Sequence, residues 1–219
     1  MKIPLAAAAL VFAAAVAARA DTVIVEKVDG SGQTGQITIK VGAAKVRTDV
    51  TPQISTITDV TTGDITTLMH AQRTYMVISA ATSRAMLEQM RKVMQAGGAP
   101  ATPPALKPTG RTDKIDGYHA VEYTYNNGIM SGSYWFSTEF PDAAAVNAAL
   151  AKFRKGGLTD MTKAFAPDPT GIPGVAVRME TLFNGQKIVT DLVSANEQPV
   201  DPTEYQVPAA YTEMKIPAQ

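Results

Sequence analysis

From Thr22 onward the chain is dominated by short runs in which apolar and polar residues alternate. "TVIVEKV" (22–28), "GQITIKV" (35–41), "AKVRTDV" (44–50), "STITDV" (55–60), "DITTLM" (64–69) and "RTYMVI" (73–78) succeed one another, with turn residues between them. A period of two in segments rich in Val, Ile and Thr predicts half-buried strands of an antiparallel meander. The connectors "DGSGQTG" and "TTGD" supply glycines for positive φ. In this setting "MHAQRTYMVIS" is a strand, a corner and a strand. His70 to Gln72 form the polar bend, which favours geometry over catalysis.

Two later segments predict hairpins in a definite register. In "HAVEYTYNNGIMSGSYWF" a two-residue turn at Asn127-Gly128 would set Tyr125 opposite Met130, Val121 opposite Tyr134 and His119 opposite Phe136. One face would then hold His119, Val121, Tyr123, Tyr125, Met130, Tyr134 and Phe136, with Trp135 on the other side beside Ala120. In "VAVRMETLFNGQKIVTDLV" the same turn at Asn184-Gly185 pairs Val177 with Leu192, Arg178 with Asp191, Thr181 with Ile188 and Phe183 with Gln186. Val177, Met179, Phe183, Ile188 and Leu192 make the apolar side, and the Arg178–Asp191 pair lies on the polar one.

Helical period occurs in two places. "TSRAMLEQMRKVMQAGG" offers Thr82 or Ser83 as N-cap, a seam of Met86, Leu87, Met90, Val93 and Met94, and Gly97-Gly98 as the stop. "DAAAVNAALAKFRKGG" can start at Asp142, bury Val146, Ala149, Leu150 and Phe153, and end at Gly156-Gly157. The proline-rich "GGAPATPPALKPTG" reads as an extended loop within one domain.

The start of the chain changes the setting. Lys2, the apolar "LAAAALVFAAAVAA" and the small-x-small "ARA" before Asp21 have the form of a signal peptide, residues 1–20, cleaved near Ala20-Asp21. A single mature domain, 21–219, is expected in the periplasm, with no transmembrane segment, and the lack of cysteine excludes both a lipobox and disulfides. The 20 Lys and Arg balance the 20 Asp and Glu, so there is no basic excess of the kind nucleic acid requires. Two histidines without cysteine make a poor metal set, and neither a catalytic metal motif, a calcium loop, a phosphate loop nor a nucleophile elbow occurs. On a strand, His119 and Glu122 point to opposite faces, so they do not form an acid–base pair. No cofactor, no metal and no catalytic residue is expected.

The strand-led order from "VEKVDGSGQTGQITIKVGAAKVRTDV" through "ISTITDVTTGDITTLMHAQRTYMVI", then "KIDGYHAVEYTY" and the closing "DPTEYQVPAAYTEM", resembles a bacterial secreted family of unknown function. The resemblance rests on Arg47, the Ile57-x-Asp59 pattern, Tyr75, Gly117-Tyr118 and the Tyr205 to Tyr211 pattern, and covers nearly the whole mature chain. That family looks related to the periplasmic lipoprotein carriers of the LolA and LolB type. The resemblance implies a mainly β fold with two or so helices: a curved antiparallel half-barrel covered by helices around an apolar cavity. The function it implies is non-enzymatic binding of a lipid, a lipoprotein acyl chain or another amphipathic ligand. The other reading is a protein-interaction or envelope-stress sensing module that binds an envelope protein and no lipid. Candidate cavity residues are Met86, Leu87, Met90, Val93 and Met94 of the first helix, with Tyr123, Tyr134, Phe136, Val177, Met179 and Phe183 of the hairpins. A methionine seam can repack around varied ligands, and it equally suits an ordinary core.

Overall fold

The computed structural model describes residues 20–30, 33–96, 103–154 and 167–215. The predicted leader up to Arg19 and the two glycine stops at 97–98 and 156–157 lie outside them. Among the described residues twelve strands form one sheet: β1 (Asp21–Gly30), β2 (Gln33–Val41), β3 (Lys45–Thr51), β4 (Ile54–Asp59), β5 (Ile65–Met69), β6 (Thr74–Ile78), β7 (Lys107–Ile115), β8 (Tyr118–Asn126), β9 (Met130–Ser137), β10 (Val175–Phe183), β11 (Gln186–Gln198) and β12 (Thr212–Glu213). Two α-helices interrupt them among the described residues, α1 (Ala80–Ala96) and α2 (Ala143–Phe153), and a 3₁₀ turn spans Pro202–Tyr205. The protein is therefore mainly β with two helices, as the alternation predicts.

The strand order is β12-β6-β5-β4-β3-β2-β1-β11-β10-β9-β8-β7. All six strands predicted in the first half appear, and His70 to Arg73 make the turn between β5 and β6. β1 sits in the middle and pairs with both β2 and β11, which joins the N-terminal meander to the C-terminal one. Every pairing is antiparallel except that of the two-residue β12 with β6. Register shifts interrupt β1/β11, β3/β4, β7/β8 and β9/β10. Each such bulge adds local twist and bends its strand, so a large open sheet with several of them curves.

One hairpin follows its prediction and the other does not. β10 and β11 pair Arg178 with Asp191, Thr181 with Ile188 and Phe183 with Gln186, and Asn184 and Gly185 both take positive φ (50° and 75°). That is the backbone a two-residue type I′ turn requires. β8 and β9 instead pair Asn126 with Ser131, Tyr125 with Gly132, Tyr123 with Tyr134 and Val121 with Phe136, two residues away from the expected register. The Asn127 side chain causes the difference: its Oδ1 accepts from the Ile129 and Met130 amides at 3.0 and 2.7 Å, while the Asn127 amide donates to the Met130 carbonyl. This Asx-type arrangement closes a wider loop than the two-residue turn. Because the slip is an even number of residues, every side chain keeps its face.

Gly132 shows how closely β9 and β10 approach. A Cβ there would stand 2.0 Å from the Glu180 carbonyl oxygen and 3.0 Å from the Tyr125 ring. Gly132→Ala should therefore force two strands apart and cost on the order of 3 kcal/mol, read as a fall in the urea midpoint at unchanged slope.

The helices differ in how they are held. α2 lies on the sheet face that carries Ile24 and Val41, and its Val146 and Ala149 are buried in the core with Val175, Val177 and Leu192. Asp142 stands at its N-cap with φ 51° and gives no side-chain cap bond, and the helix stops at Phe153 with Arg154 as C-cap. α1 begins earlier than predicted, because Ser79 rather than Thr82 or Ser83 caps it: Ser79 Oγ accepts from the Thr82 amide at 3.1 Å, and Asp64 accepts from the Ala80 amide at 2.9 Å. Ser83 is buried at this first turn and Leu87 is half-buried, but residues 88–93 are all exposed. Among the described residues only α2 lies along the sheet; α1 is anchored at its start and then projects.

Candidate binding face

Cross-strand partners share a face, so the register of four strands defines one surface. Val28 pairs with Thr190, Thr190 with Met179, Met179 with Tyr134, and Tyr134 with Tyr123. The next row toward the hairpin tips holds Ile188, Thr181, Gly132 and Tyr125. Two residues along β1 from Val28, Glu26 pairs with Ile37 and with Leu192 on the same side. This is also the side of Ile24, and hence of α2. The rings form a connected set: Tyr123 meets Phe136 edge-on at 5.5 Å, Tyr134 stacks on Phe136 at 6.0 Å, and Tyr125 meets Tyr134 at 6.0 Å. Burial and the neighbouring Tyr125 push the Tyr134 phenol up to about 12, with Arg154 at the end of α2 acting in the opposite direction.

Of the predicted site residues, Tyr123, Tyr134 and Met179 are half-buried on this face, and Phe136 is buried beneath its neighbours. Val177 falls at the β9/β10 irregularity and is packed into the core. Phe183, at the hairpin tip, is exposed, as are Val121 and Ile188 at the rim of the face. Met86, Met90 and Val93 of α1 are 45%, 38% and 67% exposed, and Leu87 is half-buried. The Met94 side chain lies outside the described set. The sheet thus gathers the strand residues into one surface, while the α1 residues lie apart from it on a projecting helix.

Glu26 was not singled out from the sequence. It is a half-buried carboxyl set between Ile37 and Leu192, with neither a hydrogen bond nor an ion pair among the described residues. Burial alone raises its pKa from 4.5 to about 7. The only signal in the sequence was a glutamate at an inward position of an otherwise apolar strand face, Ile24-x-Glu26-x-Val28.

The opposite face carries a polar network that the sequence also hid. Arg47 donates to Asp49 at 2.7 Å, to Ser55 at 3.2 Å and to the Glu204 carbonyl at 3.0 Å; Lys40 bridges Asp49 and Glu204 at 3.1 and 2.9 Å. Burial opposes the charge on Asp49, but hydrogen bonds from Ser55, Arg47 and Lys40 outweigh it and hold the carboxyl below its ordinary range. His70 lies 2.7 Å from Ser55 Oγ through Nε2 and 2.7 Å from the Tyr211 hydroxyl through Nδ1. An ionised Asp49 can only accept, so Ser55, at 2.7 Å, donates its proton there. His70 Nε2–H then donates to Ser55, and Tyr211 donates to Nδ1. In this arrangement the serine proton goes to Asp49, and His70 ties β4 to Tyr211 of the C-terminal segment.

This network docks the C-terminal segment. Tyr205 donates to Asp21 at 2.8 Å and sits over Gly42, where a Cβ would meet its ring at 3.1 Å. Burial, then the bond to Asp21, raises the Tyr205 pKa. The Thr212 and Met214 amides donate to the Arg73 and Tyr75 carbonyls, which makes β12 a strand added to the sheet edge. His119 is placed at the exposed start of β8, 3.0 Å from Glu139, and Glu122 faces the other way beneath Thr109 and Arg111. Trp135 is buried opposite Glu122, with the Arg111 guanidinium 5.7 Å from its ring centre.

These features define a one-sheet β protein with one helix laid on an apolar face and a C-terminal strap on the other. The chain belongs to the family described as Domain of unknown function (DUF4412), which matches residues 26–211. No curated protein matches the sequence. Among solved structures it is similar to PNGF-II, with a TM-score of 0.40 and 10% identity over 90% of this chain; the match spans 31% of PNGF-II. It is also similar to the Mycobacterium tuberculosis lipoprotein LppX, with a TM-score of 0.40 and 14% identity over 83% of this chain and 89% of that one. A DUF1329 family protein from Desulfovibrio piger gives a TM-score of 0.34 and 9% identity over 86% and 90%. Likenesses at this level carry no argument about function. No helix among the described residues is long and apolar enough to cross a membrane.

Proposed function

We propose that the protein is a non-enzymatic binding protein of the periplasm, exported by a leader of residues 1–20, whose single mature domain holds a lipid, a lipoprotein acyl chain or a similar amphiphile. The observation that carries this reading is the apolar face of Tyr123, Tyr134, Phe136 and Met179, which continues at its rim into exposed Val121, Ile188 and Phe183. Curvature from the bulges would turn this face into the inside of a half-barrel, with α2 over one end. Each methylene laid against such a face contributes about 0.8 kcal/mol, so a shallow groove can retain one acyl chain. Native mass spectrometry of the mature protein from its own periplasm, followed by organic extraction, tests this. A stoichiometric lipid adduct that is lost in a folded Met179→Asp variant is expected. A clean apo mass, with no uptake of added lipid, would reject the reading.

One observation favours the alternative, a module that binds an envelope protein and no lipid. α1 exposes Met86, Met90 and Val93 along one side, which suits docking to a polypeptide. The same spectra discriminate: Met90→Glu leaves a lipid adduct intact if the sheet face alone holds it.

A further inference from the structure

An unpartnered carboxyl within an apolar strip is costly. Proteins satisfy buried polar groups with hydrogen bonds, and the exceptions concentrate at functional sites. Glu26 is flanked by Ile37 on β2 and Leu192 on β11, with Ile24 and Val28 before and after it on its own strand. It stands on the same face as Met179 and Tyr134, and the residue is half-buried. The charged side chains elsewhere on this face are placed for other tasks. Lys152 lines a crevice with Ala20 and Glu197, Arg154 lies by Tyr134, and His119 is bound to Glu139 at the far edge. Among the described residues none contributes to the Glu26 shift, whose cause is burial. On either side of Glu26 along β1, Val25 and Lys27 turn to the other face, so Lys27 cannot neutralise it.

We infer that Glu26 is the polar anchor of the binding face, and that the face takes amphiphiles whose head group is a cationic hydrogen-bond donor, an ammonium above all. This rests on the amphiphile-binding reading and specifies its ligand. A carboxylate set among apolar groups gains most from a donor that also carries the opposite charge, and Met179, Tyr134 and Tyr123, farther along the same face on β10, β9 and β8, provide the bed for the tail. A neutral or anionic head satisfies the site less well: an alcohol supplies one weak donor, and a fatty acid brings a second negative charge. Pairing requires the ionised carboxyl, so uptake of a cationic amphiphile strengthens as pH rises through about 7 and weakens in acid.

The test is calorimetric titration of the mature protein with dodecylamine, dodecanol and dodecanoate below their micelle concentrations, at pH 6 and pH 8. Dodecylamine should bind about tenfold more tightly than dodecanol at pH 8, with a several-fold loss of that advantage at pH 6. Glu26→Gln should remove both the preference and its pH dependence, with folding checked by near-UV circular dichroism. Wild-type protein alone keeps the proposal testable if the variant misfolds, since equal affinity for amine and alcohol at both pH values overturns it. Binding of dodecanol without amine preference sinks only this inference and leaves the amphiphile reading standing. Failure of all three probes to bind sinks both.

Discussion

Glu26→Gln is expected to stabilise the protein at pH 8 and to leave it unchanged near pH 4.5. The carboxyl is more readily protonated in the fold than in the unfolded chain, with a pKa of about 7 against 4.5. A raised pKa of this kind contributes stability that is fully present below about 4.5 and is lost as pH climbs through about 7. At pH 8 the wild type must either hold an ionised group between Ile37 and Leu192 or keep a proton at a pH that favours its release. A glutamine amide resembles the protonated acid in size and carries no charge, so it avoids that penalty. The difference between the two proteins at pH 8 should approach about 3 kcal/mol, the order of magnitude that a shift of this size represents. Urea unfolding of both at pH 5, 6.5 and 8 checks it. Other titrating groups such as Asp49 are common to the pair, so the difference isolates Glu26. Parallel stability curves across that range would mean that the side chain reaches solvent freely, which would also weaken its assignment as a ligand anchor. A stability deficit at high pH is what a site evolved for an absent partner would show: the unliganded protein carries a cost that binding removes.

The strands were legible because their information is local and repeated. Six runs of Val, Ile and Thr at period two, separated by turn residues, leave little else for the first half of the chain to become. The Asn184-Gly185 hairpin was legible from its turn as far as the Arg178–Asp191 pair, since two adjacent positions that tolerate positive φ suit a tight two-residue turn. Asn127-Gly128 looked the same and folded otherwise, because the Asn127 side chain bonds two amides beyond it and makes a wider loop cheaper than the tight one. The aromatic face survived that error, since a slip of two keeps each residue on its side. What periodicity could not supply was long-range partnership. Nothing local tells that Arg47 meets Glu204, that His70 meets Tyr211, or that Tyr205 reaches Asp21, each across more than a hundred residues. Arg47, Tyr205 and Tyr211 were visible as elements of the family pattern, and their docking role is a physical reason for their place in it. The projection of α1 was hidden for the converse reason: its Met seam has the period of a packed helix, and only the exposed surroundings of Met86, Met90 and Val93 show that the sheet does not receive it.

Arg47→Ala is expected to release the C-terminal strap as well as lower stability. The guanidinium bonds Asp49, Ser55 and the Glu204 carbonyl at once, with its side chain only 13% exposed. Its removal leaves Asp49 short of its principal cation, while the Glu204 carbonyl loses its donor. Lys40 still bridges Asp49 and Glu204, which softens the loss. A cost on the order of 2 kcal/mol follows for a partly buried charged hydrogen-bonding group whose partners stay behind. The effect should be local before it is global. The Thr212 and Met214 amides, which bond Arg73 and Tyr75, should lose most of their protection from hydrogen exchange, while the amide of Ile39 in the middle of the sheet falls only by the global amount. Tyr211→Phe is the graded comparison: it deletes a single hydrogen bond to His70, costs about 1 kcal/mol, and leaves the Arg47 end of the strap in place. If Arg47→Ala lowers stability yet Thr212 and Met214 keep their excess protection, then the Tyr205 and Tyr211 contacts hold the strap. Arg47 would then serve the sheet alone, by neutralising Asp49 beside the buried Ser55.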